Sequence, residues 1–176
     1  MRLGADVPFF AAGHPAALIE GIGEHIVPLP APEAGAGLVL ITPRERLSTA
    51  AVFAEYDRLP SAVSRAEERT TELADLLRTD IDGMTLAVTA PAMLEANDLW
   101  TPATCLSAGL EAARAAAARV LERTVLLTGS GPTLVALYPS EAAATRAAVA
   151  LQAAAPAELE GAEIMTTSTM GRGEHR

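Results

Sequence analysis

The stretch "LTGSGPT" at residues 127–133 sets two glycines around Ser130, between two apolar runs. Such a loop can turn successive N–H groups into a concavity for phosphate oxygens, because glycine lets a ligand approach the backbone without meeting a Cβ. The same residues also suit a hairpin turn whose glycines supply positive φ, and Gly-x-Gly spacing alone favours the turn. It is not a Walker loop, since all 13 basic residues of the chain are arginine and no lysine is present. Three further features could carry chemistry. Asp6 is a lone carboxylate inside "LGADVPFF", where a turn or capping role is the ordinary expectation. Thr49 and Phe53 stand four apart in "STAAVFAEY" and share a helix face; Phe53 either joins the core, the commoner fate, or offers a flat face to a heteroaromatic ring. In "NDLW", 97–100, Asn or Asp is expected to cap the helix that follows. Glu24 in "GIGE" reads as a solvated charge beside a tight turn.

Composition narrows what these residues can serve. The 176-residue chain has room for one ordinary domain, or one domain plus part of another. Hydrophobic residues make up 50% but aromatics only 3%, so Ala, Leu and Val must fill the core. A formal charge of -9 repels polyanions and argues against a nucleic-acid partner; a small anion would need a local cradle of N–H groups or arginines. His14, His25 and His175 lack ligand spacing, and Cys105 is the single cysteine, so no metal site and no internal disulfide are expected. No segment has the roughly 18 consecutive apolar residues of a membrane span. The opening residues lack the layout of a signal peptide, which suits a cytoplasmic protein.

The elements follow from hydrophobic spacing. Residues 7–19 and 25–29 read as short strands joined by tight turns, and "PLPAPEAGAG", 28–37, as a linker. "LVLIT", 38–42, is a buried strand and 48–56 a helix capped by Ser48. A second helix is expected over 61–79 on Leu73, Leu76 and Leu77, and a third on Leu106, Leu110, Ala113, Ala117 and Leu121. Two strands hinged on Gly-Ser-Gly fill 123–139, an alanine-rich helix 141–154 and a last strand 162–167; the polar end from Ser168 is expected to be loose. The order implies an α+β fold, helices against an antiparallel sheet.

Taken in order, "LGADVPFF", "GHPAALIEGIGE", "STAAVF", "NDL" and "LLTGSGPTLVALY" resemble the carboxy-terminal part of the 4-diphosphocytidyl-2-C-methyl-D-erythritol kinase family, within the GHMP kinase superfamily. The resemblance runs from Leu3 to about Tyr138. It implies a ferredoxin-like GHMP carboxy-terminal domain over 31–176, preceded over 1–30 by the tail of the family's ATP-binding domain. Family enzymes phosphorylate the 2-hydroxyl of a cytidine-diphosphate-linked methylerythritol with ATP and Mg2+, on the non-mevalonate route to isoprenoid precursors. By the same resemblance Asp6 matches the catalytic base, Phe53 stacks the cytosine with Thr49 beside it, and Gly129, Ser130 and Gly131 match the superfamily's third motif.

The departures are as specific. The family's lysine opposite the aspartate and its phosphate-wrapping glycine-serine loop have no counterpart here, so the expectation is a chain that starts inside the kinase and is inactive without a missing amino-terminal half. Trp100 also stands where the family often carries an acid after "NDL". Two other readings compete: another GHMP small-molecule kinase, of homoserine or mevalonate type, and a non-catalytic α+β domain binding a ligand or partner.

Overall fold

The computed structural model describes residues 4, 6–59, 66–79, 81–169 and 171. Its centre is strand β3 (Gly37–Thr42), which the sequence marks as a buried apolar run. The remaining strands in chain order are β4 (Val125–Leu127), β5 (Leu134–Tyr138) and β6 (Glu163–Ser168); the earlier β1 (Ala16–Glu20) and β2 (His25–Leu29) form a hairpin of their own. The four-stranded sheet runs β4-β5-β3-β6 and every neighbouring pair is antiparallel.

Alternation along the strands divides their side chains between two apolar layers. Val39, Ile41, Val125, Leu127, Leu134, Ala136 and Tyr138 share one layer. Helices α6 (Ala108–Leu121) and α7 (Glu141–Ala154) close it, contributing small residues, Ala113 and Ala117 from α6 and Ala144 and Ala148 from α7, beside Leu110, Leu121 and Leu151. Leu38, Leu40, Leu126, Val135 and Leu137 form the other layer with Ala87 and Ala90 of α4 (Gly83–Glu95). The fold is therefore α+β as expected, but with helices on both faces of the sheet.

Helix α4 is the element sequence reading did not find. It begins well, with Asp82 accepting from the Thr85 N–H at 2.7 Å, but its apolar residues surround the axis and Pro91 lies inside it. Both features mask the usual signals. Three expectations are corrected. Residues 7–12 form a helix, α1 (Val7–Ala12), not a strand: Pro8 fixes a helical φ in the first turn, and Gly13 at φ +67 closes the end by donating to the Phe10 carbonyl. The long helix expected from Leu106 is interrupted at Ser107, whose extended backbone separates α5 (Trp100–Leu106) from α6 and leaves Leu106 exposed. Along α3 (Ala66–Leu76) and just past its end, Leu73 and Leu77 are half-buried while Leu76 is 53% exposed; residues 61–65 of the helix expected over 61–79 lie outside the described residues. Of the end expected to be loose, residues 170 and 172–176 also lie outside them, but Thr169 is pinned: its N–H donates to the Ala36 carbonyl and its hydroxyl accepts from the Ala36 N–H, at 2.9 and 2.8 Å.

Candidate functional site

The Gly-Ser-Gly segment is a tight turn between β4 and β5. The Gly131 N–H donates to the Thr128 carbonyl at 2.9 Å, and the Thr128 N–H and hydroxyl both donate to the Thr133 carbonyl at 3.0 Å. Gly129 and Gly131 have φ of +53 and +78, and a Cβ on Gly131 would lie 2.6 Å from the Leu127 side chain, so glycine is needed there on two counts.

Side chains from three separate segments hold the turn. Thr42, at the end of β3, places its hydroxyl 3.2 Å from that of Thr133. Thr49, the first residue of α2 (Thr49–Tyr56), places its hydroxyl 3.0 Å from that of Ser130, across 81 positions of sequence. Asn97, between α4 and α5, donates through Nδ2 to the carbonyls of Leu127 and Gly129, both at 3.1 Å, while its Oδ1 accepts from the Leu99 N–H at 3.0 Å. The cap expected in "NDLW" is thus replaced by a clamp: the N-cap of α5 is Leu99, which has no side-chain cap bond.

Helix α2 starts as its sequence dictates, with the Ser48 hydroxyl accepting from the Ala51 N–H. Its inward residue is Val52, fully buried, and its outward aromatic is Phe53, 50% exposed; the expected fate of Phe53 in the core is not met. Thr49, Ser130 and Phe53 accordingly lie on one surface, a hydroxyl pair one helical turn from an aromatic face. Beside the turn an open cleft of about 440 Å³ is bordered by Thr42, Arg44, Arg46, Leu47, Pro132 and Glu163. The surface can hydrogen-bond a polar group and stack a flat ring.

Asp6 stands at the N-cap of α1, exposed, and its carboxylate makes no cap bond to the helix. Among the described residues no hydrogen bond or ion pair joins it to Thr49, Phe53 or the turn. A second cavity, of about 520 Å³ and mostly apolar, lies among Phe9, Phe10, Leu29, Leu77 and Ile81. Glu24 folds back onto its hairpin: its own N–H and that of Ile22, the latter at 2.6 Å, hold its carboxyl below the usual carboxylate range. Trp100 carries the Arg114 guanidinium 4.7 Å above its ring, and Arg114 also pairs with Glu111 at 2.9 Å, so a cation–π contact occupies this position.

Among the described residues no group of three or more His, Cys, Asp or Glu could hold a metal. The turn offers few donors, because the Gly131 N–H is engaged and Pro132 has none. No helix among them is long and apolar enough to cross a membrane.

Residues 73–157 match the family model described as GHMP kinases C terminal. The chain is similar to the 4-diphosphocytidyl-2-C-methyl-D-erythritol kinase of Kineococcus radiotolerans, with 36% identity over 95% of this chain and 48% of the relative. The kinase of the same name from Geobacter sulfurreducens is 34% identical over 87% and 49%. The chain therefore spans about half the length of these curated relatives. A crystal structure of 4-(cytidine 5'-diphospho)-2C-methyl-D-erythritol kinase superposes with TM-score 0.60 and 29% identity over 96% of this chain and 55% of that one. The homoserine kinase of Cytophaga hutchinsonii, TM-score 0.56 at 17% identity, shares the fold.

Proposed function

We propose that this chain, which matches the GHMP kinases C terminal model over residues 73–157 and resembles curated kinases over about half their length, forms the substrate side of a cytoplasmic small-molecule kinase acting on 4-diphosphocytidyl-2-C-methyl-D-erythritol. Residues 31–176 are the substrate-side domain, and 1–30 belong to the nucleotide-binding one. The observation that carries this reading is the Thr49–Ser130 contact at 3.0 Å beside the half-exposed Phe53. Residues far apart in sequence that the resemblance assigned to one site share one surface.

In this reading Phe53 stacks on the cytosine, the Thr49 and Ser130 hydroxyls meet polar groups of the cytidyl half, and Asp6 accepts the proton of the 2-hydroxyl. The acceptor is anionic and the chain carries -9, so stacking and hydrogen bonding, which salt screens little, must supply the affinity. The family's phosphoryl donor is ATP with Mg2+, and its cradle is assigned to sequence beyond these 176 residues. Phe10 and Ile22, 76% and 74% exposed, offer apolar surface for packing against that nucleotide-binding half.

Calorimetric titration of the chain with the cytidyl-methylerythritol diphosphate, and with homoserine and mevalonate as controls, tests the substrate. Binding of the cytidyl compound alone is expected; preference for either control would overturn the assignment. With ATP and Mg2+ added, the chain by itself is expected to turn over no substrate, and a rate near that of a full-length relative would refute that part.

A further inference from the structure

We propose that Asn97 is the positioning residue of the Gly-Ser-Gly turn, fixing where Ser130 meets Thr49; the binding consequence rests on the site proposed above. The turn's own hydrogen bonds, from Gly131 to Thr128 and from Thr128 to Thr133, close the loop on itself but tie it to nothing outside the hairpin. Two of its flanking carbonyls, those of Leu127 and Gly129, face the α4–α5 junction and receive the two hydrogens of one amide, Asn97 Nδ2. The opposite side of that amide accepts from the Leu99 N–H, so donor and acceptor demands fix its orientation and suit no other residue type. Aspartate would turn a negative oxygen toward two carbonyls, and glutamine would place its amide one methylene too far.

The anchor is itself rigid. Ala96 caps α4 by donating to the carbonyls of Ala92 and Met93, and the Trp100 N–H donates to the Asn97 carbonyl at 3.3 Å as α5 begins. Asn97 thus joins the end of one helix, the start of the next and the carbonyls on both sides of Thr128. With the turn held there, the Ser130 hydroxyl stands 3.0 Å from that of Thr49. Asn97 works through Ser130.

The test is amide hydrogen exchange, read by NMR, in the chain and in its Asn97→Ala and Asn97→Asp variants. Exchange at Gly131 is expected to rise at least about tenfold in both, while Val135 and Ala136 in β5 stay within about threefold. No change at Gly131, or a rise shared equally by β5, would overturn the proposal. Cytidine 5'-diphosphate is then titrated into each protein. Weaker binding by both variants is the expected result, and faster exchange at Gly131 with unchanged affinity would overturn the positioning role. If the unaltered chain does not bind the nucleotide, the proposed function fails while the exchange data still decide on Asn97. Should neither variant fold, the Asn97 side-chain protons of the unaltered chain decide: protection supports the clamp, and exchange at the rate of an open amide overturns it.

Discussion

Val52 and Phe53 are neighbours in sequence with opposite environments, and replacing each by alanine separates packing from recognition. Val52 is fully buried between α2 and the main apolar layer. Removing its two methyl groups forfeits about 0.8 kcal/mol each and leaves a cavity, about 2 kcal/mol in all. For a domain of this size that lowers Tm by about 4–8 °C. Phe53 is 50% exposed, so its truncation removes at most half of the roughly 1.5–3 kcal/mol that a buried phenylalanine contributes, about 1 kcal/mol. Stacking of a base on an aromatic ring contributes about 1–3 kcal/mol. Phe53→Ala should therefore weaken cytidine 5'-diphosphate binding by about 5- to 150-fold. Urea unfolding and calorimetric titration of the two variants give four numbers. Val52→Ala is expected to lose about 2 kcal/mol of stability and keep affinity, and Phe53→Ala to lose about 1 kcal/mol at most and bind more weakly. Equal loss of stability with unchanged affinity for Phe53→Ala would make it a packing residue and remove the aromatic platform from the site.

Asp6→Asn, placed in the full kinase and assayed for turnover, is expected to lower kcat by about 10² or more with substrate affinity similar; normal turnover would remove Asp6 from proton transfer. Glu24 has a folded pKa below its ordinary 4.5, so its contribution to stability is present above that pH and lost as pH falls through the lower folded value. An NMR titration of its carboxyl should find a midpoint under 4.5, and a midpoint at or above it would refute the hairpin contact. In Gly37→Ala the added Cβ would overlap the Ser140 carbonyl and lie 2.8 Å from the Glu141 nitrogen, backbone that cannot rotate aside. A loss of about 1–3 kcal/mol in urea unfolding is expected, and an unchanged midpoint would contradict this packing.

Sequence made legible those parts whose physical cause is local. The Ser48 cap, the hairpin on Gly-Ser-Gly and the alanine-rich helix over 141–154 follow from capping, turn and period rules, and the structure places them where those rules do. Helix α4 was not legible because a helix covering a sheet face needs no polar stripe, and Pro91 reads locally as a breaker. Residues 7–12 misled because a run of apolar residues fits strand and helix equally, and only Pro8 with Gly13 decides. The brace around the turn was half visible. Thr49 and Ser130 were singled out, but their meeting is a matter of tertiary geometry, and "NDLW" signalled a cap when the partners of Asn97 lie at positions 127 and 129.

The buried alanines of α6 and α7 reverse the usual direction of mutational harm. Where Leu or Phe fills a core, truncation does the damage and opens a hole. Here Ala113, Ala117, Ala144 and Ala148 leave almost nothing to truncate, and the shared apolar layer is packed around side chains that each stop at one carbon. Enlargement is the harmful change: a single added isopropyl group at Ala117 or Ala144, both fully buried, must push a whole helix off the sheet. Variation on these faces is therefore bounded from above, and the chain's abundance of alanine is a steric specification.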